Sequence, residues 1–299
     1  DIYTENGKFY LVFDEKAALI SEETLESVLV DGNIKKRVYD YKNLYKKYPA
    51  INGVVFDAML AAYLINPAAS SYSADRLISE YGTPTPEIEG ECEAGIKNAC
   101  LFSVCCDRLE RDLNETNQRK LLDEIELPLA RVLGDMELYG FLVDIKGLEA
   151  LSEELRKRIE VIEKEIYSLV GYEFNLNSPK QLGVALFEKL GLPAKKKTKS
   201  GYSTNAEVLE SLRYAHPAVG LLLEYRQLAK LKSTYADGLQ GCVAVDGRIH
   251  STFNQTEART GRISSLEPNL QNIPVRTAEG RRLRGYFTAP EGRVLCDAD

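Results

Sequence analysis

The chain has 299 residues, of which 44% are hydrophobic and 28% charged, and its net charge is −7. That length predicts two or three domains of ordinary globular composition. No apolar run approaches the roughly 20 residues that cross a bilayer, so no membrane-spanning helix is expected, and an acidic balance alone argues against a nucleic-acid partner.

In chain order, the first third alternates between strand-like and helix-like segments. Lys8-Phe-Tyr-Leu-Val-Phe13 is β-rich, residues 22–29 carry apolar side chains at helical spacing, and residues 34–39 read as a short strand. Residues 57–64 read as a helix with Met59, Leu60, Tyr63 and Leu64 on one side. This α/β texture predicts a sheet with helices on its faces. Asp1-Ile-Tyr-Thr-Glu shows neither a basic n-region nor an apolar h-region, so no signal peptide is expected. The first residue is not Met, as in a fragment of a longer protein.

From Asp123 the texture becomes helical. Ile125, Leu129, Val132, Leu133 and Met136 form an amphipathic stripe that ends at Gly140. Leu148, Leu151, Leu155, Ile159, Ile162, Ile166 and Leu169 then step by three or four, predicting a long helix paired with the first as an antiparallel hairpin. Two capping boxes follow, Ser178-Pro-Lys-Gln181 and Thr204-Asn-Ala-Glu207. Between them lies a basic tip, Lys195-Lys-Lys-Thr-Lys199, and a last helix is expected over residues 217–235. After Asp237 the pattern turns to strands. Residues 243–253 read as a hairpin about the Asp246-Gly247 turn, and residues 293–299 as a strand ending on an acid.

Six cysteines without a C-x-x-C pair, and only two histidines, predict buried thiols in a reduced protein rather than a zinc site. The charge is unevenly distributed. Residues 195–299 hold 16 Lys and Arg against 11 Asp and Glu, a net of +5, so residues 1–194 carry −12. A basic last third suits a face turned toward a polyanion.

Two clusters concentrate that chemistry. Arg226 and Lys230 share one helix face, Leu228 and Leu231 turn inward, and Lys232, Ser233 and Thr234 add donors near the helix end. Such a face can follow a phosphate backbone without reading sequence. It equally suits a solvated helix end, where lysine is favoured by the dipole. The second cluster is Arg259-Thr-Gly-Arg-Ile-Ser-Ser-Leu-Glu-Pro-Asn-Leu-Gln-Asn-Ile-Pro274. Arg262 offers a planar fork of donors, Asn269, Gln271 and Asn272 offer donors and acceptors, and Pro268 and Pro274 stiffen the loop. Those groups match the minor groove, where A·T and T·A pairs present the same acceptors.

Residues 259–274 resemble a signature of the family A DNA polymerases at all sixteen positions. The resemblance implies a ribonuclease H-like, 3′–5′ exonuclease-like α/β domain, a helical thumb and a partial α+β palm. It assigns these to residues 1–117, 118–240 and 241–299, with the first nuclease strand upstream of residue 1. Residues 226–234 then resemble the end of a thumb helix gripping primer-template DNA. Arg262 and Gln271 would face the primer terminus and template minor groove. Asn269 and Asn272 would meet the nearby backbone, and Arg259 and Ser264 are implied as further DNA-binding residues. Asp299 matches one of two catalytic carboxylates that hold Mg²⁺ for phosphoryl transfer, while Asp297 looks structural. With its partner carboxylate absent, the chain alone is expected not to polymerise.

The family's nuclease needs about four carboxylates on two metals. Lys36-Arg-Val-Tyr-Asp40 resembles one of its elements and Val55-Phe-Asp57-Ala-Met-Leu a neighbouring one, but Asp1-Ile-Tyr3 is no Asp-x-Glu pair. The helix around residues 98–108 has no Tyr three residues before an Asp, which leaves Ala99 near the place of the metal-binding acid. An inactive nuclease fold, with Asp40 as a remnant, is expected. The implied parent is a monomeric, cytoplasmic, nucleoid-associated bacterial enzyme that extends a primer with deoxynucleoside triphosphates. Rival readings are a non-catalytic duplex-binding module and a residual 3′–5′ exonuclease.

Overall fold

The β-rich opening folds as an antiparallel meander of β1 (Ile2–Glu5), β2 (Lys8–Phe13) and β3 (Lys16–Ile20). Asn6 and Gly7, both at positive φ, make the two-residue turn between β1 and β2. The Ser21 hydroxyl accepts from Thr24 N and starts α1 (Glu22–Val30), whose first turn carries Glu22 and Glu23. Next come β4 (Lys36–Val38), α2 (Tyr41–Lys47) and β5 (Val54–Asp57). The two strands pair in parallel, with α2 in the connection. Helices α3 (Ala58–Ile65), α4 (Ala74–Tyr81) and α5 (Ala94–Glu115) complete the α/β layer, α5 packing on α3, α4 and β2.

The computed structural model describes residues 1–14, 16–83, 93–194, 197–198 as backbone, 201–275 and 277–296. Two compact units emerge, Asp1–Gly140 with His250–Gln271, and Phe141–Ile249 with the stretch from Asn272 onward. The core of the first unit includes Tyr3, Tyr10, Leu25, Phe56, Leu60, Phe102 and Leu109. Cys105 and Cys106 lie in it as buried thiols, and burial pushes Cys105 up to about 12.

A short α6 (Arg119–Leu121) runs through a π-turn at Leu122–Glu126 into α7 (Leu127–Tyr139). A Cβ on Gly134 would come within 2.8 Å of the Tyr45 ring, so this glycine lets α7 lie close on α2. The expected stripe on this helix is buried only at Leu133, with Leu129 half-buried. Ile125, Val132 and Met136 are exposed, and the buried side is Leu127, Ala130, Leu133, Gly134 and Glu137. The π-turn adds a residue to one turn and rotates the upstream face, and docking on α2 selects small residues plus one charged residue that a hydropathy pattern passes over.

The second unit begins with β6 (Phe141–Val143) and α8 (Ile145–Val170). Leu148, Leu151, Leu155, Ile162 and Ile166 are buried as the spacing predicts, with Val170 in place of Leu169. Gly171 at φ +90° ends the helix. The expected hairpin partner differs, since α7 packs on α2 and α8 packs on a later helix, α11. Before it come α9 (Pro179–Gly183), the β7–β8 hairpin (Lys197–Thr198, Gly201–Tyr202) and α10 (Ala206–Ser211). Ser178 caps α9 as predicted, but Gln181 Oε1 accepts from Asn175 N at 2.8 Å instead of from Ser178. The α10 cap is Asn205, one residue later than expected, because Thr204 is buried. Side chains of the basic tip lie outside the described residues.

Helix α11 (Pro217–Lys230) starts on a proline at its first position and continues through a π-turn (Leu231–Asp237) into α12 (Gly238–Gln240). The predicted hairpin at Asp246-Gly247 is shorter than expected. Ala244 N donates to Arg248 O at 2.8 Å, and β9 (Arg248–Ile249) then joins the sheet β12-β6-β9. The chain next gives the first unit β10 (Thr252–Asn254) and β11 (Ser264–Leu266), an antiparallel pair. It returns with α13 (Ala278–Arg284), capped by Thr277, and β12 (Phe287–Thr288). Residues 293–296 form no strand, contrary to expectation, since no neighbouring strand pairs with them among the described residues.

Candidate nucleic-acid interface

The loop between β10 and β11 carries Arg259 and Arg262, and both are exposed. Its footing is a buried hydroxyl pair. Ser251 and Ser265 lie 2.7 Å apart and engage the carbonyls of Leu266 and Pro268, while Leu270 N donates to Ser265 Oγ at 3.0 Å. Gly261 at φ +75° turns the tip between the two arginines. Gln271 Nε2 reaches back to Ile263 O at 2.7 Å and closes the neck, and Gln271 N is capped by Asn269 Oδ1 at 3.0 Å. Ser264 is half-buried and donates to Glu257. Asn269, Gln271 and Asn272 are exposed.

In the second unit, Leu228 and Leu231 are buried as expected, and Lys230, Ser233 and Thr234 are exposed. Two cations are already engaged. Arg226 is half-buried and donates to Thr204 O at 2.5 Å, with burial lowering its pKa. Lys232 Nζ lies 2.6 Å from Asp237 Oδ2, whose other oxygen accepts from Ser152 at 2.5 Å. Tyr235 donates its hydroxyl to Asn272 O within the same unit.

Asp40 sits at φ +55° and caps α2, with Oδ1 accepting from Asn43 N at 3.3 Å and Oδ2 from Asn43 Nδ2 at 2.6 Å. Its neighbour Asp57 is buried. Oδ1 accepts from Asp40 N, Met59 N and Leu60 N, and Oδ2 from Tyr41 N at 2.7 Å. Burial raises Asp57 to about 7 against the pull of those donors. Both carboxylates are thus committed to helix starts and do not fit a metal pair. Among the described residues no group of three or more His, Cys, Asp or Glu could hold an ion. Asp297 and Asp299 lie outside the described residues.

Ser251 and Ser265 carry only a faint signal in the sequence: a serine directly before one strand and another at the centre of the next look like ordinary polar positions until the strands pair.

A model for DNA polymerase family A matches residues 145–299, and one for the ribonuclease H-like domain of DNA polymerase I matches residues 1–89. The chain belongs to DNA polymerase family A. DNA polymerase I of Geobacillus stearothermophilus is 41% identical over 96% of this chain, that of Bacillus subtilis 38% over 97%, and that of Streptococcus pneumoniae 42% over 95%. This chain spans 35% of the length of each. The POL domain of Pol1 from M. smegmatis, in complex with DNA primer-template and dNTP, matches with a TM-score of 0.82 at 39% identity, over 95% of this chain and 52% of that one. The ribonuclease H-like expectation for the first domain therefore holds. No helix among the described residues is long and apolar enough to cross a membrane.

Proposed function

We propose that this chain is part of a DNA-directed DNA polymerase that extends a primer 3′ end on a DNA template. In this reading residues 1–117 form an exonuclease-like domain without nuclease activity, 118–240 a thumb and 241–299 the start of a palm. The observation that carries it is the loop of residues 259–271, which presents two exposed arginines on a closed and buried-serine footing. Fixed cations and amides on a stiff loop suit a partner of fixed spacing and repeated acceptors. A duplex minor groove is such a partner, and readout of shared acceptors leaves sequence free.

Arg262 and Gln271 would sense pair shape beside the primer terminus, and Arg259, Ser264, Asn269 and Asn272 would hold the adjoining backbone. Lys230, Ser233 and Thr234 would follow phosphates along the thumb. Arg226 and Lys232 would contribute after exchanging their partners Thr204 and Asp237 for DNA. Asp299 would be one of the carboxylates holding Mg²⁺, which supplies charge neutralisation at the transferred phosphate. Deoxynucleoside triphosphates are the expected co-substrates. The residual nuclease reading is disfavoured by Asp40 and Asp57, whose oxygens are taken by backbone donors and, at Asp40 Oδ2, by the Asn43 side-chain amide.

Replacing Arg262 and Gln271 by alanine in the intact protein tests the reading. Each lost contact of this kind is worth about 1–3 kcal/mol, so affinity for primer-template and extension should both fall at least tenfold. Undiminished extension would remove the assignment.

A further inference from the structure

The strand that leads into the arginine loop is held by side chains from the α/β part of the first unit. Glu137 on α7 is 4% exposed. Its Oε1 accepts from Lys42 Nζ at 2.5 Å and from Phe253 N at 2.9 Å, and its Oε2 from Lys46 Nζ at 2.5 Å. Lys42 Nζ also donates to the Phe253 carbonyl. Both backbone polar groups of Phe253 thus end on one buried ion pair. Strand β10 has a strand neighbour, β11, on one edge. On the other edge the Lys42–Glu137 pair supplies the donor and acceptor that a third strand would supply.

Three more contacts lie along the same strand and its continuation. The Glu137 carbonyl is 2.7 Å from His250 Nδ1, Gln255 Nε2 donates to Glu126 Oε2 at 2.7 Å, and Tyr63 donates its hydroxyl to Ala258 O at 2.6 Å. Ala258 immediately precedes Arg259. An ion pair this deeply buried is weak evidence of stability, because desolvation offsets its attraction. What it supplies is a fixed register for the backbone that it grips.

We propose that Lys42 and Glu137 are positioning residues, which fix β10 and so hold Arg259 and Arg262 in the geometry that meets duplex DNA. The inference rests on the DNA-binding reading above. It gives Lys42, in the ribonuclease H-like region, a role that needs no nuclease carboxylates: with Glu137 of α7 it mounts the DNA-reading loop.

The test compares Lys42→Met, the double variant Lys42→Met/Glu137→Gln, and Arg262→Ala/Gln271→Ala in the intact protein. The double variant leaves no fully buried charge unpaired, since Lys46, which loses Glu137, can reach solvent, so it stays folded where the single change risks unfolding. Measured are the melting temperature, the Kd for a labelled primer-template, kcat at saturating DNA, and amide exchange. For the double variant the expected result is a Kd raised about tenfold or more, with kcat at saturation retained and faster exchange confined to residues 250–266. An unchanged Kd, or faster exchange spread through the whole first unit, overturns the proposal. The Arg262→Ala/Gln271→Ala variant should raise Kd with exchange over residues 250–258 unaltered, any faster exchange being confined to the loop neck that Gln271 closes at Ile263. If it binds like the wild type, the DNA reading itself has failed and takes this inference with it.

Discussion

Asp57 shows how far one buried carboxylate can matter without touching a ligand. It starts α3 through Met59 N and Leu60 N, and ties α2 to β5 through Tyr41 N. Burial lifts its pKa from 3.8 to about 7. A carboxyl raised in this way keeps its proton in the folded state where the unfolded chain releases it. Its contribution is therefore complete below pH 3.8 and is lost as pH rises through about 7. The melting temperature should fall between about pH 4 and about pH 7 and level off above, and this slope should be absent from Asp57→Asn. A wild-type profile flat across that window would contradict the assignment. The residue scale was only partly legible: Asp57 reads as a helix start, but nothing local says that every oxygen it has is taken.

At the scale of elements, α7 separates pattern from packing. Its apolar stripe by spacing contains Val132 and Met136, which are exposed, and its docked side contains Gly134 and Glu137. Leu133→Ala should cost about 2–5 kcal/mol, whereas Val132→Ser should stay within about 0.5 kcal/mol. Chemical denaturation of the two variants reads the difference, and equal costs would restore the stripe as the buried face. Strands and helices such as β2, α1, α3 and α8 were legible because their periodicity and caps are local. The true α10 cap and the break between β9 and β10 were not, since both depend on partners far away in sequence.

For the whole molecule, charge is the feature that composition conceals. A net of −7 divides into −12 over residues 1–194 and +5 beyond. Binding to a duplex should therefore weaken steeply with salt, by a factor of about 0.9 in log–log slope for each phosphate neutralised. Lys230→Ala and Arg259→Ala should each reduce that slope by about 1 without changing sequence preference. Titrations across salt concentrations measure it, and slopes that stay unchanged in both variants would take these two cations off the DNA.

By itself the sequence determined the family, the α/β-then-helical order and the cluster of residues 259–274, because these live in local composition and contiguous motifs. Only the tertiary structure decided which of those groups are presented and which are committed. Arg226 turns to Thr204, Lys232 to Asp237, and Asp40 to its own helix, while Arg259 and Arg262 stand out on a footing of Ser251 and Ser265. The physical reason is that a polar side chain's availability depends on the donors and acceptors that folding brings beside it, and those come from distant positions in the chain.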